Sequence, residues 1–339
     1  MHDRSFPRTA RIRQARLAAI LWVPIVLSAS AYGADLLQSG TKYPDKPIRF
    51  IVPQPPGGGT DTVARMLAPR LSESLGQQVV VDNRSGAGGI VGTELVARAP
   101  ADGYTLLLGY TGALTINPSL YKQLPYRPIE DFDPVSLAVS SPFILFVYPQ
   151  LRISSVAELV SMAKAKPGQL NFGSPGNGSL HHLAIEWFKS ATGTSMVHIP
   201  FKGGQSLPAL ISGEIQLTLG SAVAWLPHVK AGRIKAIAVT SKGRSRVLPE
   251  LPSIAESGIA DFEARNWFGI VVPKGTPKPV IARLSALTAS YVNSAEARER
   301  LLNDGADPVG STPEAFAELI KREIGRWRDV VKLSGAKID

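Results

Sequence analysis

From residue 48 onward, short apolar runs alternate with segments whose apolar residues recur every three or four positions. Ile48-Arg49-Phe50-Ile51-Val52 reads as a buried strand, and the following stretch sets Val63, Leu67, Leu71 and Leu75 on one helical face. Between them lies Pro53-Gln54-Pro55-Pro56-Gly57-Gly58-Gly59-Thr60-Asp61. A strand, a glycine loop and a helix start, in that order, form an anion seat. Glycine lets the backbone approach a ligand, and the first helical N–H groups have no partner of their own. The plainer alternative is an empty turn, although three glycines in a row exceed what a turn requires. Pro69 within the helix predicts a kink or one lost backbone bond.

The pattern continues with a strand at Val79 to Asp82, the loop Asn83-Arg84-Ser85-Gly86-Ala87-Gly88-Gly89, and a small-residue helix from Ile90 to Ala99. The glycines are spaced G-x-G-G-x-x-G, and no acidic strand end follows about twenty residues later, as a dinucleotide site requires. Close helix–sheet packing is the expected role of these glycines. Strand Tyr104 to Leu108 then leads to Gly109-Tyr110-Thr111-Gly112, a further candidate ligand loop at a strand's carboxyl end. Asp131-Phe132-Asp133-Pro134 reads as a connection into a new unit.

In that unit Phe143 to Val147 is a strand, and Ser155 with Glu158 predicts a capping box for a helix stopped by Pro167-Gly168. Strand Leu170 to Phe172 runs into Gly173-Ser174-Pro175-Gly176-Asn177-Gly178-Ser179, with Ser179 as the N-cap of an amphipathic helix. The strand, glycine loop and helix unit therefore occurs twice, so two helix N-termini are expected to face one ligand. A strand near Met196 to Ile199 leads to Phe201-Lys202-Gly203-Gly204, and strand Ile215 to Leu219 leads to Gly220-Ser221. After strand Ile234 to Thr240 the chain is expected to re-enter the first unit near Trp267. Helices then start at Pro277, Ala295 and Thr312-Pro313-Glu314. The expected architecture is α/β in two domains around a cleft. Residues 34–140 with 265–339 make the first domain and residues 141–264 the second.

Composition narrows the function. Residues 1–33 carry five arginines against Asp3 and an apolar core from Leu17 to Leu27. That is a secretory signal peptide, with cleavage after Ala31 or Gly33; an uncleaved anchor is the alternative. Removing its charge leaves about +6 of the formal +10. This suits small anions, but no basic run or aromatic-basic interleaving points to nucleic acid. The chain has no cysteine, which excludes disulfides and thiolate chemistry, and 44% hydrophobic residues supply a core.

Catalytic signals are weak. No G-x-S-x-G elbow occurs, and Ser174 and Ser179 lie in loops where capping explains them. His181 and His182 are adjacent and point to different sides of a helix, so they cannot chelate together. His182 faces the cleft mouth or is a structural histidine; both readings stand. Asp61 either accepts a ligand donor or stabilises its own helix start. No metal and no cofactor are expected.

Taken together, the motifs resemble the receptors of tripartite tricarboxylate transporters, the Bug or TctC family. The matching stretches are Tyr43 to Asp61, Asn83 to Gly89, Pro100 to Leu106, Asp131 to Pro134, Phe172 to Ala184, Pro200 to Gly204 and Thr312 to Glu314. The resemblance implies a monomeric periplasmic binding protein of type II-like fold that closes on a small carboxylated solute. It implies delivery of that solute to membrane permease subunits. It assigns the carboxylate grip to Gly57–Asp61 and Ser174–Ser179; Gln54, Tyr110, Thr111, His182, Phe201, Lys202, Gly203 and Ser221 are the further candidate contacts. The chain departs from the pattern at Gln54, where an aromatic is common, at Phe201, a common tyrosine, and at Gln216 and Gly220, where aspartates are common. A secreted α/β hydrolase and a sensor subunit of the same fold remain as alternatives.

Overall fold

The computed structural model describes residues 43–201, 205–246 and 248–337, so the expected leader, Lys202 and Gly203 lie outside the described residues. The first leg of the chain is β1 (Ile48–Val52), α1 (Gly59–Leu75), β2 (Val79–Asn83), α2 (Ile90–Ala97), β3 (Thr105–Tyr110), α3 (Asn117–Leu120) and β4 (Phe132–Pro142). The second is β5 (Ile144–Val147), α4 (Val156–Ala165), β6 (Asn171–Ser174), α5 (Leu180–Thr192), β7 (Val197–Pro200), α6 (Ser206–Ser212), β8 (Leu217–Gly220), α7 (Ala222–Lys230) and β9 (Lys235–Val239). The third is β10 (Arg265–Pro273), α8 (Lys278–Val292), α9 (Ala295–Asn303), β11 (Asp307–Pro308) and α10 (Pro313–Ser334).

These strands form two sheets, in the orders β11-β4-β10-β3-β1-β2 and β7-β6-β8-β5-β9. In the first, β1 lies parallel to β2 and β3, while β10 runs antiparallel between β3 and β4. Parallel neighbours joined by helices put both glycine loops at carboxyl strand ends, where ligands collect in open α/β sheets. The chain changes sheets twice, at Phe143 and between β9 and β10. Thr240 ties the two passages together. Its Oγ accepts the Phe143 N–H at 2.8 Å and donates to the Ala264 carbonyl at 2.5 Å.

Local signals explain most elements. Ser155, Ser179 and Thr312 cap α4, α5 and α10 by accepting the N–H three residues on. Pro69 does not interrupt α1, which runs unbroken to a left-handed Gly76. A Cβ on Gly92 would lie 2.6 Å from the Arg84 carbonyl, so this glycine permits the close helix–sheet contact expected of the segment.

The stretch Asp131 to Pro134 is not a simple connection. Phe132 to Pro134 opens β4, eleven residues long, and the register against β10 slips between Ile270 and Val271, opposite Pro134. That irregularity accommodates a residue with no N–H to give the ladder. α10 packs on β4 and on α5: Phe316 and Ile320 join the core of the first sheet, and Trp327, Val330 and Val331 join the core cluster that contains α5. Among the described residues no helix is long and apolar enough to cross a membrane.

Candidate functional site

The first loop is held by Asp61. Its Oδ2 accepts the Gly57 N–H and Arg65 Nε, both at 2.9 Å, and its Oδ1 accepts Asn83 Nδ2 at 3.0 Å. The carboxylate is only 4% exposed, and the Arg65 hydrogen bond, more than any other contact, holds its pKa below the ordinary value. Of the two readings of Asp61, its bonds are those of a residue that folds its own loop. The N-cap, Gly58, offers no side chain, and the N–H groups of Gly58, Gly59 and Thr60 have no partner among the described residues. An uncapped helix start favours a negative group.

The second loop spends more of its donors internally. Gly176 N–H goes to Ser174 Oγ at 3.1 Å, Gly178 N–H to His182 Nδ1 at 3.1 Å, and Ser179 N–H to the Gly176 carbonyl at 3.2 Å. What remains is the N–H groups of Asn177, Leu180 and His181. Ser174 is fully buried, and its Oγ lies 2.7 Å from His198 Nε2. It supports the loop from behind and lines neither of the two cavities described below.

His182 is likewise behind the loop. Its ring stacks on His198 at 3.8 Å and 8°, and burial pushes both histidines down to about 4. The sequence names His182 as the cleft contact, with a structural role as its alternative, and the histidine that lines the cavity is instead its neighbour. It is His181, whose ring packs on Phe143 at 4.2 Å and whose basicity burial lowers to about 4.

Both loops open on one cavity of about 400 Å³, with Gly59 and Thr60 contributed by the first sheet and Gly176 to Ser179 by the second. Gln54 and Tyr110 also line it. An adjoining cavity of about 540 Å³ shares Gly59, Phe143, Asn266 and Phe268 as walls and is lined further by Gly57, Ser221, Arg300 and Asp304. Gly58 and Asp61 line neither cavity. Thr111 is turned away as well: fully buried, it donates to the Arg265 carbonyl and accepts the Trp267 N–H. Phe201 packs in the second sheet's core, within reach of Gly173.

Phe143, Asn266, Phe268 and His181 are cavity walls that the sequence does not single out. The available signal is positional, because the first three stand beside the two passages between sheets. Among the described residues no group of three or more His, Asp or Glu side chains is placed to hold a metal. The geometry brings the starts of α1 and α5, from two sheets, to the wall of one cavity.

A family model described as "Tripartite tricarboxylate transporter family receptor" matches residues 63–336. The chain is 39% identical over 329 residues to protein BugT of Bordetella pertussis, covering 96% of this chain and all of that one. Among solved structures it is similar to R. palustris Rpa4515 with adipate, with TM-score 0.75 and 37% identity over 87% of this chain and 100% of that one. It is also similar to MatC from Rhodopseudomonas palustris with bound malate, with TM-score 0.71 and 32% identity over 85% of this chain and 100% of that one.

Proposed function

Since the chain belongs to the tripartite tricarboxylate transporter receptor family, whose members are periplasmic solute-binding receptors, we propose that it captures a small carboxylated organic solute by closing two domains on it. It then hands the solute to the membrane subunits of a transporter. The domains in this reading are residues 34–140 with 265–339, and residues 141–264. The leader exports the chain, and it acts as a monomer.

The observation that carries this reading is the shared cavity, which the uncapped start of α1 and the start of α5 enter from different sheets. Each charge-assisted hydrogen bond to a carboxylate contributes roughly 1.5–3 kcal/mol, so a few of them reach the ~8 kcal/mol of a micromolar complex. The adipate and malate bound by two similar proteins support a carboxylate.

The pair Ser174 and His198, 2.7 Å apart, favours a second reading, hydrolysis. Against it, Ser174 is fully buried, its Oγ is held by both Gly176 backbone groups and His198, and it lines neither of the two cavities.

Titration calorimetry against C4 and C6 carboxylates tests the receptor reading. Binding without consumption of the solute is expected, and Gly59→Val should abolish it, because a Cβ there already lies 3.3 Å from the Phe268 ring in the shared wall. Absence of heat with every carboxylate, or unchanged affinity in Gly59→Val, overturns the reading.

A further inference from the structure

The direction of each hydrogen bond in one corner of the cavity is fixed by a single acceptor. The Gly88 carbonyl lies 2.7 Å from Tyr110 Oη and 3.0 Å from Asn117 Nδ2. A carbonyl can only accept, so both side chains donate to it. Tyr110 has then given away its one proton, and its oxygen accepts Gln54 Nε2 at 2.6 Å. Both carboxamides are thereby oriented. Gln54 Oε1 and Asn117 Oδ1 are left as acceptors without a hydrogen-bond partner among the described residues, on side chains that line the cavity. Asn117 is only 5% exposed, so its carboxamide is held within the wall.

The backbone supports this arrangement. Ala87, Gly88 and Gly89 have φ values of 45°, 63° and 89°, a left-handed run that is strained at Ala87. A Cβ on Gly89 would lie 2.8 Å from Tyr110 Oη. Such a path brings the Gly88 carbonyl to the two side chains it orients.

Among the described residues the same wall is uncharged. Among its described residues none is Asp, Glu, Lys or Arg; Arg300 and Asp304 belong to the adjoining cavity. Among the described residues, a second carboxylate in this corner would meet two acceptors and no cation, and an ammonium would find no counter-charge. We propose that the solute is a monocarboxylate whose other end carries a neutral hydrogen-bond donor, a carboxamide or hydroxyl, received by Gln54 Oε1 and Asn117 Oδ1. This rests on the receptor reading and names the class of solute.

Titration calorimetry on the full exported chain tests it with four probes at each of two chain lengths. These are the plain monocarboxylate (butyrate, hexanoate), its ω-hydroxy form, the dicarboxylate monoamide (succinamate, adipamate) and the dicarboxylate (succinate, adipate). At one length or the other, the hydroxy and monoamide probes should bind about tenfold or more tightly than both the plain acid and the dicarboxylate. Gln54→Leu, checked for an unchanged thermal transition, should erase that difference. Equal affinities, a preference for the dicarboxylate, or a ranking unaltered in Gln54→Leu overturns the tail assignment while leaving a carboxylate receptor standing. No binding by any probe removes both.

Discussion

His182 Nδ1 accepts the backbone N–H of Gly178 at 3.1 Å, so a side chain behind the second glycine loop fixes the loop's shape. That acceptor must be unprotonated. Burial, reinforced by His198 and Lys189, pushes His182 down to about 4 from its ordinary 6.5, while the nearby Glu186 carboxylate is 2.7 Å from Lys189.

A pH dependence follows. Because the folded pKa lies below the unfolded one, the unfolded chain binds more protons, and stability falls as pH drops from about 6.5 toward 4. For His182 the loss at pH 5 is on the order of 2 kcal/mol. Ordinary carboxylates contribute little above pH 5, so melts between pH 7.5 and 5 report mainly histidines, with Glu323, whose pKa burial raises, acting in the opposite direction. The melting temperature should fall over that interval, and His182→Gln should reduce the slope. An equal slope in the variant would place the effect elsewhere.

Asp61 acts with the same sign at lower pH. Its pKa is lowered, chiefly by Arg65, so its contribution is complete above about 3.8 and is lost as pH falls through the folded value. Asp61→Asn should cost about 1.5–3 kcal/mol in urea unfolding at pH 7, the worth of hydrogen bonds to a charged group. It should also weaken carboxylate binding, because Gly57 N–H loses the acceptor that shapes the loop. Full affinity in a destabilised Asp61→Asn would show that loop geometry is set by Asn83 and the backbone alone.

Ser174→Ala separates support from chemistry. Removing a buried hydroxyl that touches both Gly176 backbone groups and His198 should lower stability by about 1–3 kcal/mol. Hydrolysis of p-nitrophenyl esters should be at the buffer rate before and after the change. Turnover in the parent chain that disappears in Ser174→Ala would establish the hydrolase reading instead.

What the sequence made legible is what local chemistry decides. The caps at Ser155, Ser179 and Thr312, the strand before each glycine loop, and the small-residue packing at Gly92 all follow from a few neighbouring residues. β4 was hidden because Asp131, Asp133 and Pro134 carry turn chemistry and the strand after them is buried on both faces, which erases alternation. The choice between His181 and His182 depends on how α5 is rotated about its axis, and both residues lie on apolar surroundings. Likewise, the bonds that occupy Thr111 and Ser174 come from residues 156 and 24 positions away. Long-range partners of that kind leave no periodic trace.

Thr240 sits where the chain's two passages between sheets meet, and no water reaches it. Its backbone N–H goes to the Phe143 carbonyl at 2.9 Å, and its own carbonyl receives the Ala264 N–H at 3.0 Å. The hydroxyl adds a second link to each neighbour, accepting from Phe143 N–H and donating to Ala264. Thr240→Val keeps the shape but leaves a buried N–H and a buried carbonyl with one partner fewer. The expected cost is about 2–4 kcal/mol, since two groups each lose a hydrogen bond without gaining water. Thr240→Ser retains the hydroxyl and should recover most of that loss, leaving only the small term for one methyl. Urea unfolding of the three chains gives the comparison. If Ser is as destabilised as Val, methyl packing and not the paired hydrogen bonds joins the two passages, and Phe143 owes its position in the shared cavity wall to the core instead.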